Sequence, residues 1–226
     1  MTKKIIAVDL DGTLLNNESK LSDFTKETIK KISEKGHHVI ITTGRPYRMA
    51  KDFYRELELH TPMINFNGSL THLPGQAWEH EKCLTLDKKY LLDMVKRTED
   101  IQADFIAGEY RKKFYITTPN EEIADPKLFG VENFRPENQF KPERVTKDPN
   151  CILLQTRAED KYALADEMNR FYQHQLAINT WGGPLNILEC TPKGVNKAFA
   201  LEYLLNVMNR DKKDLIAFGD EHNDTE

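Results

Sequence analysis

Ile5-Ile6-Ala7-Val8-Asp9-Leu10-Asp11-Gly12-Thr13 is the stretch that decides the fold. Four apolar residues run straight into two carboxylates one residue apart, then a glycine and a hydroxyl. The apolar run reads as a strand buried on both faces, as in a parallel sheet. Alternate side chains of an extended backbone share a face. Asp9 and Asp11 therefore point together into the crevice at the strand's carboxyl end, where open α/β sheets take ligands. Gly12 lets the chain turn away with no side chain in the way. Two carboxylates this close repel unless something neutralises them. Mg²⁺ does so, and it also holds substrate phosphate. An ordinary Asp-Gly turn with a solvated Asp9 fits the same few residues, so the rest of the chain must decide.

Downstream, Ser22 and Asp23 open a helix that Gly36 closes, with Phe24, Thr28, Ile29 and Ile32 as its apolar face. Val39-Ile40-Ile41 is a second buried strand and runs into Thr42-Thr43-Gly44-Arg45-Pro46. Pro46 suits the first turn of another helix, with Met49, Phe53 and Leu57 on one side. Met63-Ile64-Asn65-Phe66 is a third strand, ending at Asn67-Gly68. Strands alternating with helices predict an α/β fold, a doubly wound parallel Rossmann-like core.

The pattern then changes. Residues 69–83 read as a hairpin about Pro74-Gly75, 87–97 as a helix with Tyr90, Leu91, Met94 and Val95 inward, and 101–118 as two strands. Residues 119–150 hold five of the ten prolines, which argues against long regular elements there. A strand at 151–154, a helix at 161–173 and strands at 177–181 and 186–189 follow. Residues 70–190 are expected to form an inserted α/β cap domain, and 1–69 with 191–226 the core. A helix over 195–209 (Ala198, Leu201, Leu205 and Met208 buried) and a fourth buried strand, Leu215–Phe218, complete that core.

The chain has 226 residues, 39% of them hydrophobic, enough for one large domain or two modest ones. A net charge of −4 leaves no electrostatic footprint for nucleic acid or an anionic membrane. No apolar run approaches the roughly 20 residues of a membrane span, and the apolar run after Met1-Thr2-Lys3-Lys4 is too short for a signal peptide. Cys83, Cys151 and Cys190 are odd in number and lack a Cys-x-x-Cys, so reduced buried thiols and a cytoplasmic setting are expected. Neither glycine-rich nucleotide fingerprint is present, which argues against a dinucleotide or P-loop module.

All the core strands end in polar residues: Asp9 and Asp11, Thr42 and Thr43, Asn67, Asp220 and Asp224. A mere marking of strand ends does not predict carboxylate pairs on two separate strands. Lys193 and Lys197 stand where the last helix is expected to start. A cation there is disfavoured by roughly 0.3–1 kcal/mol, and a bound anion would account for both.

Asp9-Leu10-Asp11-Gly12-Thr13, Thr43-Gly44-Arg45, Gly194-Val195-Asn196-Lys197 and Gly219-Asp220-Glu221-His222-Asn223-Asp224 together resemble the four signature motifs of the haloacid dehalogenase superfamily. The large insertion after the third strand resembles its Cof-type sugar-phosphatase branch. The resemblance implies a Mg²⁺-dependent phosphatase of small phosphorylated metabolites, with sugar phosphates the expected class. It makes Asp9 the nucleophile that forms an aspartyl-phosphate, and Asp11 the acid for the leaving alcohol and then the base for water. Mg²⁺ would be held by Asp9, the backbone carbonyl of Asp11 and Asp220, with Asp224 in support. Leu10, Thr43, Gly44, Lys197 and Asn223 would hold the phosphoryl oxygens. Lys197 rather than Lys193 fits the family's Gly-Val-x-Lys pattern. Arg45 and Asn67 would lie near the cap junction and contact substrate. Family members usually continue past the fourth motif, so the resemblance also implies a core truncated at the C-terminus, with an uncovered edge on its last strand and low stability or activity. The alternative function is a non-catalytic sensor of phosphorylated metabolites on the same fold. A mutase is less compatible with this cap type. No oligomeric state can be read from the residues.

Overall fold

The computed structural model describes residues 3–220 and Asp224. Its elements in chain order are β1 (Ile5–Val8), α1 (Asp23–Glu34), β2 (His38–Ile41), α2 (Tyr47–Glu56), β3 (Met63–Asn65), β4 (Leu70–His72) and β5 (Lys82–Cys83). Then follow α3 (Lys88–Lys96), β6 (Ala103–Tyr110), β7 (Lys113–Ile116), β8 (Cys151–Thr156), α4 (Lys161–Phe171), β9 (Leu176–Thr180), β10 (Ile187–Pro192), α5 (Lys197–Val207) and β11 (Leu215–Phe218). The chain divides into two compact units, Met1–Cys83 with Val195–Glu226, and Leu84–Gly194. No helix of the described residues is long and apolar enough to cross a membrane.

In the first unit β1 lies between β2 and β11, parallel to both, with Ile5 opposite His38 on one side and Leu215 on the other. Its four side chains are all buried because both sheet faces are covered. Ile6 and Val8 join Val39 and Ile41 in the cluster that holds Ile29 of α1 and Ala50 and Tyr54 of α2. Ile5 and Ala7 join Ile40 and Ile64 in the cluster that holds Ala200, Leu201 and Leu204 of α5. One strand's alternation thus feeds two cores, which is the arrangement of a doubly wound sheet.

Local signals explain the boundaries. Ser22 Oγ accepts from the Thr25 N–H at 3.0 Å, capping α1. Gly36 closes that helix at φ +80°, a left-handed turn that glycine adopts at no steric cost. Some inward faces differ from the sequence expectation. Phe24 is 80% exposed, because at roughly 100° per residue it lies about 140° around α1 from the buried Ile29, while Thr25 and Lys26 of the same turn are half-buried. In α2 the buried residues are Ala50 and Tyr54 rather than Met49, and β11, expected to be buried, has Ile216 and Phe218 exposed.

β3 touches the parallel sheet through a single bridge, Thr42 to Ile64, and pairs along its length antiparallel with β4. β4 in turn pairs with β5, so the hairpin at 70–83 belongs to the first unit. The sequence reading placed the division after residue 69 and before 191, while the compact units divide after Cys83 and before Val195.

The second unit is a five-stranded antiparallel sheet in the order β7-β6-β8-β10-β9. Leu91 and Met94 of α3 and Ala165 and Met168 of α4 pack into its core with Ile106, Ile152 and Leu188. The proline-rich segment forms three short 3₁₀ turns, Pro126–Phe129, Pro136–Asn138 and Pro142–Arg144, each with proline in its first turn. Phe129 anchors them, stacked on Phe114 at 4.8 Å and edge-on to Phe105 at 5.7 Å. The buried Lys161 ammonium donates to the carbonyls of Trp181 (2.8 Å), Gly183 (3.2 Å) and Leu185 (2.8 Å) and so gathers that loop around itself. Cys151 and Cys190 are buried free thiols, whereas Cys83 is only half-buried.

Candidate active site

Asp9 follows the last residue of β1, and its N–H donates to the Phe218 carbonyl at 3.0 Å, which continues the parallel pairing one step beyond the strands. Its side chain is buried and would be an isolated anion without Lys197. Lys197, the first residue of α5, is itself buried, and its Nζ lies 2.8 Å from Asp9 Oδ1 and 2.6 Å from Asp224 Oδ1. Burial nevertheless pushes the Asp9 carboxyl above the usual carboxylate range, against the pull of Lys197. The nearby Asp224 charge adds to the rise. Lys193 is exposed and precedes α5 by four residues, so the two lysines are not equivalent.

Carboxylate oxygens of Asp9, Asp220 and Asp224 lie within 4.8 Å of one another. Among the described residues, three carboxylates face one ammonium there, a donor set that suits a further cation. The turn after β1 makes room for it. Gly12 has φ +68°, and a Cβ there would lie 1.9 Å from Asp220 Oδ2. Thr13 Oγ1 donates to Asp220 Oδ1 at 3.4 Å. The donors are all carboxylate oxygens, which suits a hard divalent ion such as Mg²⁺ rather than a soft one.

Asp11 lies on the solvent side of this turn. Its carboxylate is gripped by Arg45, with Nε 2.7 Å from Oδ2 and Nη2 2.5 Å from Oδ1. Leu10 between the two acids is fully buried and fixes the turn from below. At the end of β2, Thr43 is buried, its N–H donates to the Ile64 carbonyl at 2.9 Å, and its Oγ1 accepts from the Arg45 N–H at 3.1 Å. Gly44 faces the Asn67 side chain, which a Cβ would approach to 3.1 Å. Asn67 holds φ +50°, and its N–H donates to the Thr43 carbonyl at 3.2 Å. Asn223 lies outside the described residues.

The structure thus brings Asp9, Lys197, Asp220 and Asp224 into one cluster, sets Asp11 against Arg45 and lays Asn67 against Gly44. Two polar residues near it were not singled out from the sequence, Asn65 and His72. Asn65 Nδ2 donates to the Arg45 carbonyl at 2.8 Å, and His72 Nε2 lies 2.9 Å from Asn65 Oδ1. The available signal was an amide inside an otherwise apolar strand, Met63-Ile64-Asn65-Phe66, where a buried polar group must find partners.

A sequence profile of the haloacid dehalogenase-like hydrolases matches residues 6–226. The 5-amino-6-(5-phospho-D-ribitylamino)uracil phosphatase YitU of Bacillus subtilis is 30% identical over 227 residues, covering 98% of this chain and 82% of its own. A haloacid dehalogenase-like hydrolase from Bacteroides thetaiotaomicron superposes with a TM-score of 0.83 at 21% identity, over 99% of this chain and 84% of its own. The subclass IIB sugar phosphatase BT4131 superposes with a TM-score of 0.77 at 19% identity, over 98% and 82%.

Proposed function

Since the chain belongs to the haloacid dehalogenase-like hydrolases and is a phosphatase of their Cof type, we propose that it hydrolyses small sugar phosphates with Mg²⁺, through a phosphoryl group carried on Asp9. The observation that carries this reading is the buried Asp9 at the end of β1, paired to Lys197 and close to two further carboxylates. Phosphoryl transfer asks mainly for in-line positioning and neutralised oxygen charge.

Asp9 Oδ attacks phosphorus, and the P–O bond to the leaving alcohol breaks. Asp11 supplies the proton that the alcohol needs. Asp11 then takes a proton from water as that water attacks phosphorus and releases Asp9. Lys197, Thr43, Gly44 and the backbone at Leu10 line the phosphoryl oxygens, with Asn223 assigned to the same task. Asp9, Asp220, Asp224 and the Asp11 carbonyl would hold Mg²⁺. When bound, the ion offsets the repulsion between carboxylate and phosphate. Arg45 and Asn67 border the leaving-group side, and the second unit is assigned the role of a cap that discriminates among leaving groups. The sugar-phosphate class is supported by the phosphorylated ribityl chain in the name of the YitU substrate.

The test is release of phosphate from 4-nitrophenyl phosphate with Mg²⁺, with EDTA, and in Asp9→Asn. Activity is expected with Mg²⁺ alone. Turnover that survives EDTA, or that persists in Asp9→Asn, contradicts the reading.

A further inference from the structure

Arg45 is fixed by three polar contacts before its side chain reaches Asp11. Its N–H donates to Thr43 Oγ1 at 3.1 Å. Its carbonyl accepts from Asn65 Nδ2 at 2.8 Å and from the Phe66 N–H at 3.4 Å. Asn65 is wholly buried in β3. The bond from its Nδ2 to the Arg45 carbonyl turns its Oδ1, an acceptor, toward His72, so this network assigns the proton to His72 Nε2. His72 is buried too, edge-on to Tyr47 with ring centroids 5.0 Å apart. A line of contacts therefore runs from β4 through β3 to the start of α2 and ends on the Asp11 carboxylate.

The Asp11 side chain is 55% exposed and stands on a short turn. Among the described residues, Arg45 is the side chain that holds its carboxylate. The two parallel bonds from the Arg45 fork fix both its position and the plane of its carboxylate, which a single point charge cannot do. A buried Asn–His pair is also a costly way to fill a strand pair that apolar residues would fill as well, so its use here points to orientation.

We propose that Arg45 is a positioning residue for Asp11, and that Asn65 and His72 position Arg45 in turn. This rests on the reading of Asp11 as the acid for the leaving alcohol. The bidentate grip sets where the carboxyl group stands relative to the departing oxygen.

The experiment is the dependence of kcat on leaving group, measured over a series of substituted phenyl phosphates with Mg²⁺. The protein is compared with Asp11→Asn, Arg45→Lys and Asn65→Leu, each checked by circular dichroism for an unchanged fold. 4-Nitrophenolate leaves without a proton, whereas unsubstituted phenolate needs one. Asp11→Asn is expected to lose about 10²–10⁴-fold on phenyl phosphate and far less on the nitro compound. Arg45→Lys and Asn65→Leu are expected to show the same steepening in weaker form, with KM little changed. Arg45→Lys, at a partly exposed side chain, carries the test alone where Asn65→Leu fails to fold. A steep Asp11→Asn series beside an Arg45→Lys series that falls equally for every leaving group, or changes only KM, overturns the proposal. An Asp11→Asn series without steepening instead overturns the reading of Asp11 on which it rests.

Discussion

The buried Lys197 ammonium bridges two carboxylates, Asp9 and Asp224, and Lys193 stands in solvent. Removing the first takes from the buried Asp9 and the half-buried Asp224 the ammonium that bridges them. Lys197→Met is therefore expected to lower kcat/KM by at least about 10²–10³-fold, the scale for deleting one preorganised charge donor. Lys193→Ala should fall within twofold of the parent in the same assay. Gly12 offers a separate test of the acid cluster. Gly12→Ala places a methyl against Asp220 and forces an unfavourable left-handed backbone on alanine. The Mg²⁺ concentration for half-maximal activity should rise about 10–100-fold, as when a metal ligand loses its orientation. Titration of activity against Mg²⁺ checks this, and an unchanged midpoint places the ion elsewhere. These residues were legible in the sequence because each breaks a local rule. Asp9 ends a buried strand with a charge, and Lys197 puts a cation at a helix start. Asn65 and His72 were less visible, since their roles depend on a β3–β4 pairing that no short motif encodes.

At the scale of elements, strands were read well where burial on both faces left an unbroken apolar run, as in β1, β2 and β8. The reading was poorer where tertiary context overrides periodicity. Phe24 fits the α1 stripe by its spacing from Thr28, yet the face that packs inward is the one carrying Ile29, and Phe24 points away from it. β3 looks like another parallel strand, but its hydrogen bonds go mainly to β4. The proline-rich 119–150 segment has no period to read, because 3₁₀ turns and packed phenylalanines order it rather than a repeating face. Lys161 in α4 is a comparable case, a charge whose purpose appears only in three dimensions. Lys161→Met keeps the aliphatic stem and leaves three carbonyls without their donor. A loss of about 1–3 kcal/mol is expected, the scale for unsatisfied buried polar groups. Urea unfolding measures it, and faster proteolysis at residues 181–185 should accompany it.

For the whole molecule, the buried weak acids set an alkaline limit. Burial and the charges of Glu189 and Glu109 hold the Cys151 thiol well above its ordinary 9.0. Burial and Glu189 push Cys190 up in the same way. Burial raises Tyr54 from 10.0 to about 12, and burial with the hydrogen bond to Asp93 raises Tyr172. In each case the folded chain keeps a proton that the unfolded chain releases. Stability is therefore fully present below about pH 9 and falls as pH rises toward the folded values. Urea midpoints should hold from about pH 7 to 9 and drop by about pH 11, with a constant midpoint as the contrary result. The doubly wound architecture was readable from strand and helix order, while the hairpin at 70–83 needed the pairing of β3 with β4 to assign it to the first unit. That pairing order also has a consequence for synthesis. Asp9 and Lys197 stand 188 positions apart, and Ile5 pairs with Leu215. The second unit, Leu84–Gly194, is contiguous and complete before either late partner leaves the ribosome. At about 5–20 residues per second, β1 waits roughly 10–40 s for β11. Through that interval Ile5, Ala7 and Ile40 lack the α5 side chains that cover them, which leaves an apolar face open on the nascent chain. Every growing chain shorter than Lys197 carries Asp9 without its counterion.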